Sequence, residues 1–284
     1  MPDTRDPQRL LEPAALAQIL NADPAAAPDP TAEGLLLVHV GDARLYEQAH
    51  LPGALLVEPA ELVSGAPPGV GRLPDRHRLE ALFSRLGYHP DLHLVVYDDE
   101  GGGWAGRFIW TLDIIGHHRW SYLNGGIHAW HGAGLPLEAG APPAVAPRPV
   151  NLELDRSPIA ELEDVLAAVD DPEQLIWDVR SAEEFAGMRS GSRRAGHVPG
   201  AVNLDWMALK DPTRQLRLVD DLEGLLRRHG IDGRRRIITH CQTHHRSGLS
   251  YLVGRLLGFP DIRAYHGSWA EWGNRDDTPV TTGS

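Results

Sequence analysis

Apolar residues along this chain follow two spacings, and the two alternate. Gly34 to Val40 reads Gly-Leu-Leu-Leu-Val-His-Val, a short unbroken apolar run of the kind that forms a strand buried on both faces. His93 to Tyr97 is a second such run, and Tyr122-Leu123 a short third before Asn124-Gly125-Gly126. Between them the spacing becomes helical. Leu16, Ile19 and Leu20 share one face of residues 10 to 20, with Pro13 near the first turn; Leu79, Leu82, Phe83 and Leu86 form a stripe from Asp75 to Gly87; Arg107 to Ile115 ends at Gly116. His50-Leu51-Pro52-Gly53-Ala54 reads as a turn.

The second half replays this order. Ile159 to Val169 predicts a helix, Leu175 to Val179 a strand, and His197-Val198-Pro199-Gly200-Ala201 the same turn again. Leu218 to His229 predicts a helix stopped by Gly230; Ile237-Ile238 is a buried strand, followed by Leu249, Leu252 and Leu256 at helical spacing up to Gly258. Residues 95 to 130 lie over 237 to 272 at an offset of 142, matching Gly106 with Gly248, Gly116 with Gly258, Gly125 with Gly267 and Trp130 with Trp272. Repeats this long are domains, and strands alternating with helices predict an α/β fold in which each copy is a mainly parallel sheet with helices on both faces. The first domain is placed at residues 1–136 and the second at 151–284. Residues 137–150, with prolines at 142, 143, 147 and 149 amid alanine, predict an extended, semi-rigid linker. The paired glycines are expected at helix ends and tight turns needing positive φ. His50 and His197, which precede the same Pro-Gly-Ala turn, are expected to be structural.

Composition narrows the chemistry. The chain has 284 residues, ordinary globular apolar content and a net charge of −12, which argues against a general nucleic-acid surface. No apolar run has membrane-spanning length and Met1 to Arg9 leads into no apolar core of signal type, so the reading is a cytoplasmic protein, with Thr281 to Ser284 as a loose tail. One cysteine permits neither an internal disulfide nor a thiolate zinc cluster. The adjacent pairs His117-His118 and His244-His245 do not point at a common ion, and no metal or cofactor is expected.

That cysteine, Cys241, sits where a strand turns into a helix, at the sheet edge where parallel α/β folds bind ligands. Backbone N–H groups in such a turn form an anion nest, and the helix adds its positive end. His244, His245 and Arg246 add up to three positive charges, which would favour a reactive thiolate. The alternative for a lone cysteine is a small buried apolar residue. Arg234-Arg235-Arg236 is a further basic island. At the same offset of 142, Cys241 faces Asp99, and His244-His245-Arg246 faces Gly102-Gly103-Trp104. The first copy keeps the loop without a nucleophile, so only the second domain is expected to be catalytic.

Asp178-Val179-Arg180, His197-x-Pro-Gly-Ala, the Cys-Gln-Thr-His-His-Arg loop at 241–246 and Gly267-Ser268-Trp269-Ala270-Glu271-Trp272 together resemble, in order, the two-domain rhodaneses. The chain is most similar to the bacterial thiosulfate sulfurtransferases that carry this loop. The resemblance implies tandem rhodanese-like domains, an inactive first and a catalytic second, with substrate entering the cleft between them. It implies Cys241 as nucleophile and a substrate cradle from Gln242, Thr243, His244, His245, Arg246 and Ser247. It further implies an arginine near the site at Arg180 and aromatic residues lining the interdomain pocket at Trp104 and Trp206. Many animal relatives have a second arginine where this chain has Glu184, and a loop that reads Cys-Arg-Lys-Gly-Val-Thr, so their substrate contacts do not transfer.

The implied reaction passes sulfur from thiosulfate to Cys241 and then to cyanide or a thiol, through a persulfide. The expected partners are these small molecules and, as an option, a protein sulfur acceptor; nucleic acid and membrane are not. Thiosulfate, a dianion, gains more from loop charges than 3-mercaptopyruvate does, the histidines contributing only while protonated. A 3-mercaptopyruvate sulfurtransferase and a persulfide carrier are the alternatives. Dual-specificity phosphatases of the cell-cycle type share the fold and the His-Cys opening. They place arginine after five residues, whereas four separate Cys241 from Arg246, which makes a tight ring for a tetrahedral phosphate.

Overall fold

A computed structural model describes residues 9–21 and 34–283. Most of the N-terminal stretch read for a leader, and Ser284, lie outside the described residues. In chain order the first half comprises β1 (Leu10–Leu11), α1 (Pro13–Asn21), β2 (Leu35–Val40), α2 (Ala43–Gln48), β3 (Leu55–Val57), α3 (Arg76–Arg85), β4 (His93–Tyr97), α4 (Gly103–Ile114), β5 (Trp120–Leu123) and α5 (Gly126–Gly132). The second comprises β6 (Ile159–Ala160), α6 (Leu162–Ala168), β7 (Gln174–Asp178), α7 (Ala182–Phe185), β8 (Val202–Asn203), β9 (Lys210–Asp211), β10 (Arg217–Leu218), α8 (Leu222–Arg228), β11 (Arg236–His240), α9 (Arg246–Leu256), β12 (Ile262–Tyr265) and α10 (Ser268–Trp272). Each half builds one five-stranded parallel sheet, in the orders β1-β5-β4-β2-β3 and β6-β12-β11-β7-β8. The two orders are equivalent, as the repeat requires.

Local chemistry explains most boundaries. Asp75 accepts the Arg78 N–H at 2.9 Å to start α3, and Gly116 and Gly258, at φ +74° and +69°, end α4 and α9. The helix expected over residues 10 to 20 begins at Pro13, because Leu10-Leu11 is a strand paired with Tyr122 and Leu123, and two more begin later than the apolar spacing suggests. Ile159-Ala160 is a strand paired with Ala264 and Tyr265, so α6 starts at Leu162; Arg217-Leu218 pairs with Lys210-Asp211, so α8 starts at Leu222. In each place tertiary pairing overrides the local spacing. The tail is likewise fastened: Thr281 exchanges both backbone hydrogen bonds with His197, at 2.8 and 3.0 Å. His50 and His197 do matching structural work. Each takes a backbone carbonyl at 2.8 Å through Nδ1 and stacks on an aromatic ring, His50 on Tyr46 and His197 on Phe185.

The largest apolar cluster draws on both halves, joining Phe108, Ile109 and Trp110 with Leu249, Tyr251 and Leu252. Here α4 crosses α9, and two of the paired glycines prove to have a different purpose from the one expected; a third, Gly267, has φ −67°, the positive φ falling on Ser268. Gly106 and Gly248 are interior helical positions where the backbones touch: a Cβ on Gly106 would stand 2.2 Å from the Gly248 carbonyl oxygen, and one on Gly248 2.4 Å from that of Gly103. Close approach, not positive φ, requires glycine there. The same cluster takes α3 and α8, while smaller clusters, around Leu37 and Tyr97 and around Ile176 and Trp269, take α1, α2 and α5 in the first half and α6 and α10 in the second. No helix or longer strand occurs between Gly132 and Ile159; the segment is pinned by the bridge from His50 to Glu138 and by Arg148 N–H to Ser84 O at 3.2 Å. No helix among the described residues is long and apolar enough to cross a membrane.

Burial of neutral histidines fixes the acid response. Burial lowers the pKa values of His39, His117, His240, His244 and His266, His39 to about 4. Between the unfolded value near 6.5 and these lower values the unfolded chain binds more protons, so stability is full above about pH 6.5 and falls on acidification. His39 alone accounts for roughly 3 kcal/mol by pH 4. Asp98, raised to about 6 by burial and by Glu100, and Asp99, raised chiefly by burial, work in the opposite direction but are two groups against six, since burial lowers His93 as well. Calorimetry should therefore show a midpoint that declines steadily from pH 6.5 to 5; a flat profile would contradict this assignment.

Candidate active site

β11 ends at His240 and α9 starts at Arg246, leaving the loop 241–245; β4 ends at Tyr97 and α4 starts at Gly103, leaving 98–102. The counterpart of Cys241 is therefore Asp98, not Asp99. The constant offset of 142 fails here by one residue because α4 has 12 residues and α9 has 11. The first loop closes around its own carboxylate. Asp98 Oδ1 accepts the N–H groups of Glu100, Gly101 and Gly102 at 2.8–3.3 Å, and Oδ2 those of Gly102 and Ala105 at 3.0 Å. A turn of this shape gathers amide donors on an anion.

In the second loop the same place is held by Cys241, 1% exposed. Its carbonyl accepts the Trp269 N–H at 2.9 Å and its own N–H reaches Ser268 Oγ at 3.4 Å, which ties the loop to the Gly267-Ser268-Trp269 turn. Ser268 has φ +52°, as Gly126 has +56° in the first copy. The Ser247 hydroxyl donates to the sulfur at 3.5 Å and lies 2.7 Å from His244 Nδ1. His244 is left-handed at φ +54° and wholly buried against Trp110, with ring centroids 4.5 Å apart. Burial first, and Arg107 second, push its pKa well below the ordinary value. The expectation that His244 supplies charge is thereby corrected: it is neutral at pH 7 and reaches the sulfur through Ser247.

The other predicted residues divide into two groups. Trp104 and Trp206 come together around His245, Trp104 stacked at 4.3 Å and Trp206 edge-on at 5.7 Å, while His245 Nε2 bonds Glu100 of the first loop. The Lys210 ammonium lies 3.4 Å from the Trp206 ring centroid and donates to the Glu100 carbonyl. Arg246 forms a two-pronged pair with Glu184 at 2.7 and 3.0 Å; burial opposes its charge, but Glu184 and Cys241 raise its pKa. Gln242 donates to Ser192 Oγ at 3.0 Å, and Thr243 packs so closely on Gly71 that a Cβ there would stand 1.9 Å from its carbonyl oxygen. Arg180 is placed apart from solvent. Fully buried, it pairs with Asp178 at 2.6 Å, donates to Gly196 O at 2.8 Å and lies over Trp269. The Arg234-Arg235-Arg236 island is at the opposite end of β11, bonded to Asp232, Gly230 and Asp171.

Gly71, Glu100, Arg107, Ser192 and Lys210 were not singled out from the sequence. Only Arg107 left a signal, a charge inside the apolar run Gly-Arg-Phe-Ile-Trp.

Two sheets of one strand order, each with a tight anion-type loop leading into a helix, and a cysteine opening one loop where an aspartate opens the other, define a two-domain α/β protein with one thiol site. The chain belongs to the rhodanese family: the rhodanese-like domain matches residues 14–133 and 161–275. It is 48% identical over 250 residues to the thiosulfate sulfurtransferase of Azotobacter vinelandii, covering 88% of this chain and 92% of that protein. It is 47% identical over 254 residues to the thiosulfate sulfurtransferase of Pseudomonas aeruginosa, covering 89% of this chain and 93% of that one. Among solved structures it resembles that of YnjE at a TM-score of 0.85 and 23% identity, over 97% of this chain and 68% of that one.

Proposed function

We propose that the chain is a thiosulfate sulfurtransferase that carries sulfur as a persulfide on Cys241. The observation that supports this most is the substitution of Cys241 for a carboxylate in an otherwise equivalent loop: a position shaped for an anion holds a sulfur. In the first step the Cys241 thiolate bonds to the outer sulfur of thiosulfate, the sulfur–sulfur bond of the donor breaks, and its electron pair leaves with sulfite. In the second, cyanide or a thiolate bonds to the terminal sulfur and the electron pair returns to Sγ. Loop amides at residues 242 to 247 and the N-terminus of α9 hold the negative charge throughout. Trp104, His245 and Trp206 form the rim between the two halves, and Arg246, aligned by Glu184, draws the dianion in.

In this reading residues 1–136 are an inactive domain, 137–150 a linker and 151–284 the catalytic domain of a cytoplasmic enzyme, and the acceptor is a small thiol, cyanide or a protein thiol. Intact-mass measurement tests it. Protein incubated with thiosulfate gains one sulfur atom and loses it on addition of cyanide; an unchanged mass in a preparation that turns over thiosulfate rules out the persulfide.

A further inference from the structure

Arg107 differs from every other buried cation of the site. Its side chain is wholly enclosed, yet it donates only to carbonyl oxygens, to Leu62 at 2.6 Å and to His244 at 3.5 Å, and its Nε has no partner among the described residues. Its guanidinium lies over Trp110, 4.5 Å from the ring centroid, which orients it without neutralising it. Arg180, equally buried, has the Asp178 carboxylate. A buried charge without a counter-ion is strongly unfavourable, so such a site is built for an anion.

We infer that Arg107, contributed by the first copy, is a positioning residue for the sulfur chemistry, its counter-anion being the sulfur of Cys241. The inference rests on Cys241 being the reacting group. Among the side chains around it Arg107 has no carboxylate partner, and the other cationic groups near Cys241 are matched or neutral. Arg246, on the α9 side, is already matched by Glu184. His244 and His266 are kept neutral by burial, and His266 also meets Glu161; His240, behind the Cys241 carbonyl, faces Asp178 at 3.7 Å. Burial brings Arg107 down to about 9, and Cys241 is the group that acts against that fall. The hydrogen bond to the His244 carbonyl also holds the strained turn that aims His244 at Ser247. An anion formed at Cys241, thiolate or persulfide, thus meets a fixed positive charge that the catalytic half does not itself provide.

The rate of Cys241 alkylation by iodoacetamide, followed against pH, tests this in wild type, Arg107→Gln, Arg107→Met and Arg107→Lys, with near-ultraviolet circular dichroism on the same samples. The two neutral variants should react about 10-fold more slowly at pH 7, with the profile moved to higher pH, while lysine stays nearer to wild type. A folded neutral variant with an unmoved profile overturns the inference. Should neither neutral variant fold, the stability difference between wild type and Cys241→Ser decides. It should widen from pH 5 to 8, because a thiol ionised more readily in the folded state adds stability as pH rises; a constant difference overturns the inference. Failure of thiosulfate to load Cys241 would sink the sulfurtransferase reading and leave this measurement intact.

Discussion

Cys241→Ala should remove sulfur transfer by four orders of magnitude or more, roughly what loss of a covalent nucleophile costs an enzyme. No other thiol exists in the chain to take its place, and Asp98 holds the equivalent position in the first loop. The fold should survive. Cys241 is small and buried, and its backbone bonds to Trp269 and Ser268 do not depend on the sulfur, so the thermal midpoint should move by no more than a few degrees. Steady-state assays with thiosulfate and cyanide, alongside a melting curve, check both halves of the expectation. Residual turnover above about one per cent in the folded variant would show that another group carries the sulfur.

The second large effect falls on stability. Gly248→Val places a branched side chain where a Cβ alone would already stand 2.4 Å from the Gly103 carbonyl oxygen and 2.5 Å from Arg107 N. Neither contact is a flexible side chain, so α4 and α9 must separate. Overpacking of this kind costs about 3 kcal/mol, or a midpoint lowered by roughly 6–12 °C for a chain of this size. The separation also draws Arg107 and Trp104 away from the Cys241 loop, so activity at low temperature should fall with stability. Gly116→Ala is the control. Its φ of +74° is strained for alanine, but nothing lies within 4 Å of the added carbon, so it should cost only about 1 kcal/mol. Equal losses from the two variants would show that close approach is not what Gly248 provides.

The sequence carried the architecture well because both signals were redundant. The central strands carry short apolar runs, the long helices carry stripes, and the order appears twice, so β2, β4, β7 and β11 were legible from residues alone. Short elements were not. Ile159-Ala160 and Arg217-Leu218 become strands only because partners distant in sequence pair with them. In the site, the loop from Cys241 to Ser247 was legible because its chemistry is local. What the periodic offset concealed was the one-residue difference in helix length that aligns Cys241 with Asp98. Charge in the loop was misjudged for a related reason. His244 reads as polar in sequence, but its burial depends on Trp110, 134 positions earlier in the chain. Arg107, Glu100 and Gly71 act across the same interface, and nothing local marks which face of the first copy will meet the second.

Asp98 also bears on how the duplicated half has been kept. The Cys241 loop needs a substrate brought to it, whereas this one holds its anion covalently and so has its amides satisfied from the moment it folds. Glu100, Trp104 and Arg107 hang from that loop and the helix behind it, so the wall they present to the Cys241 loop takes its position from contacts within the protein and not from a bound substrate. The first copy has exchanged the freedom to bind for the ability to serve as a template.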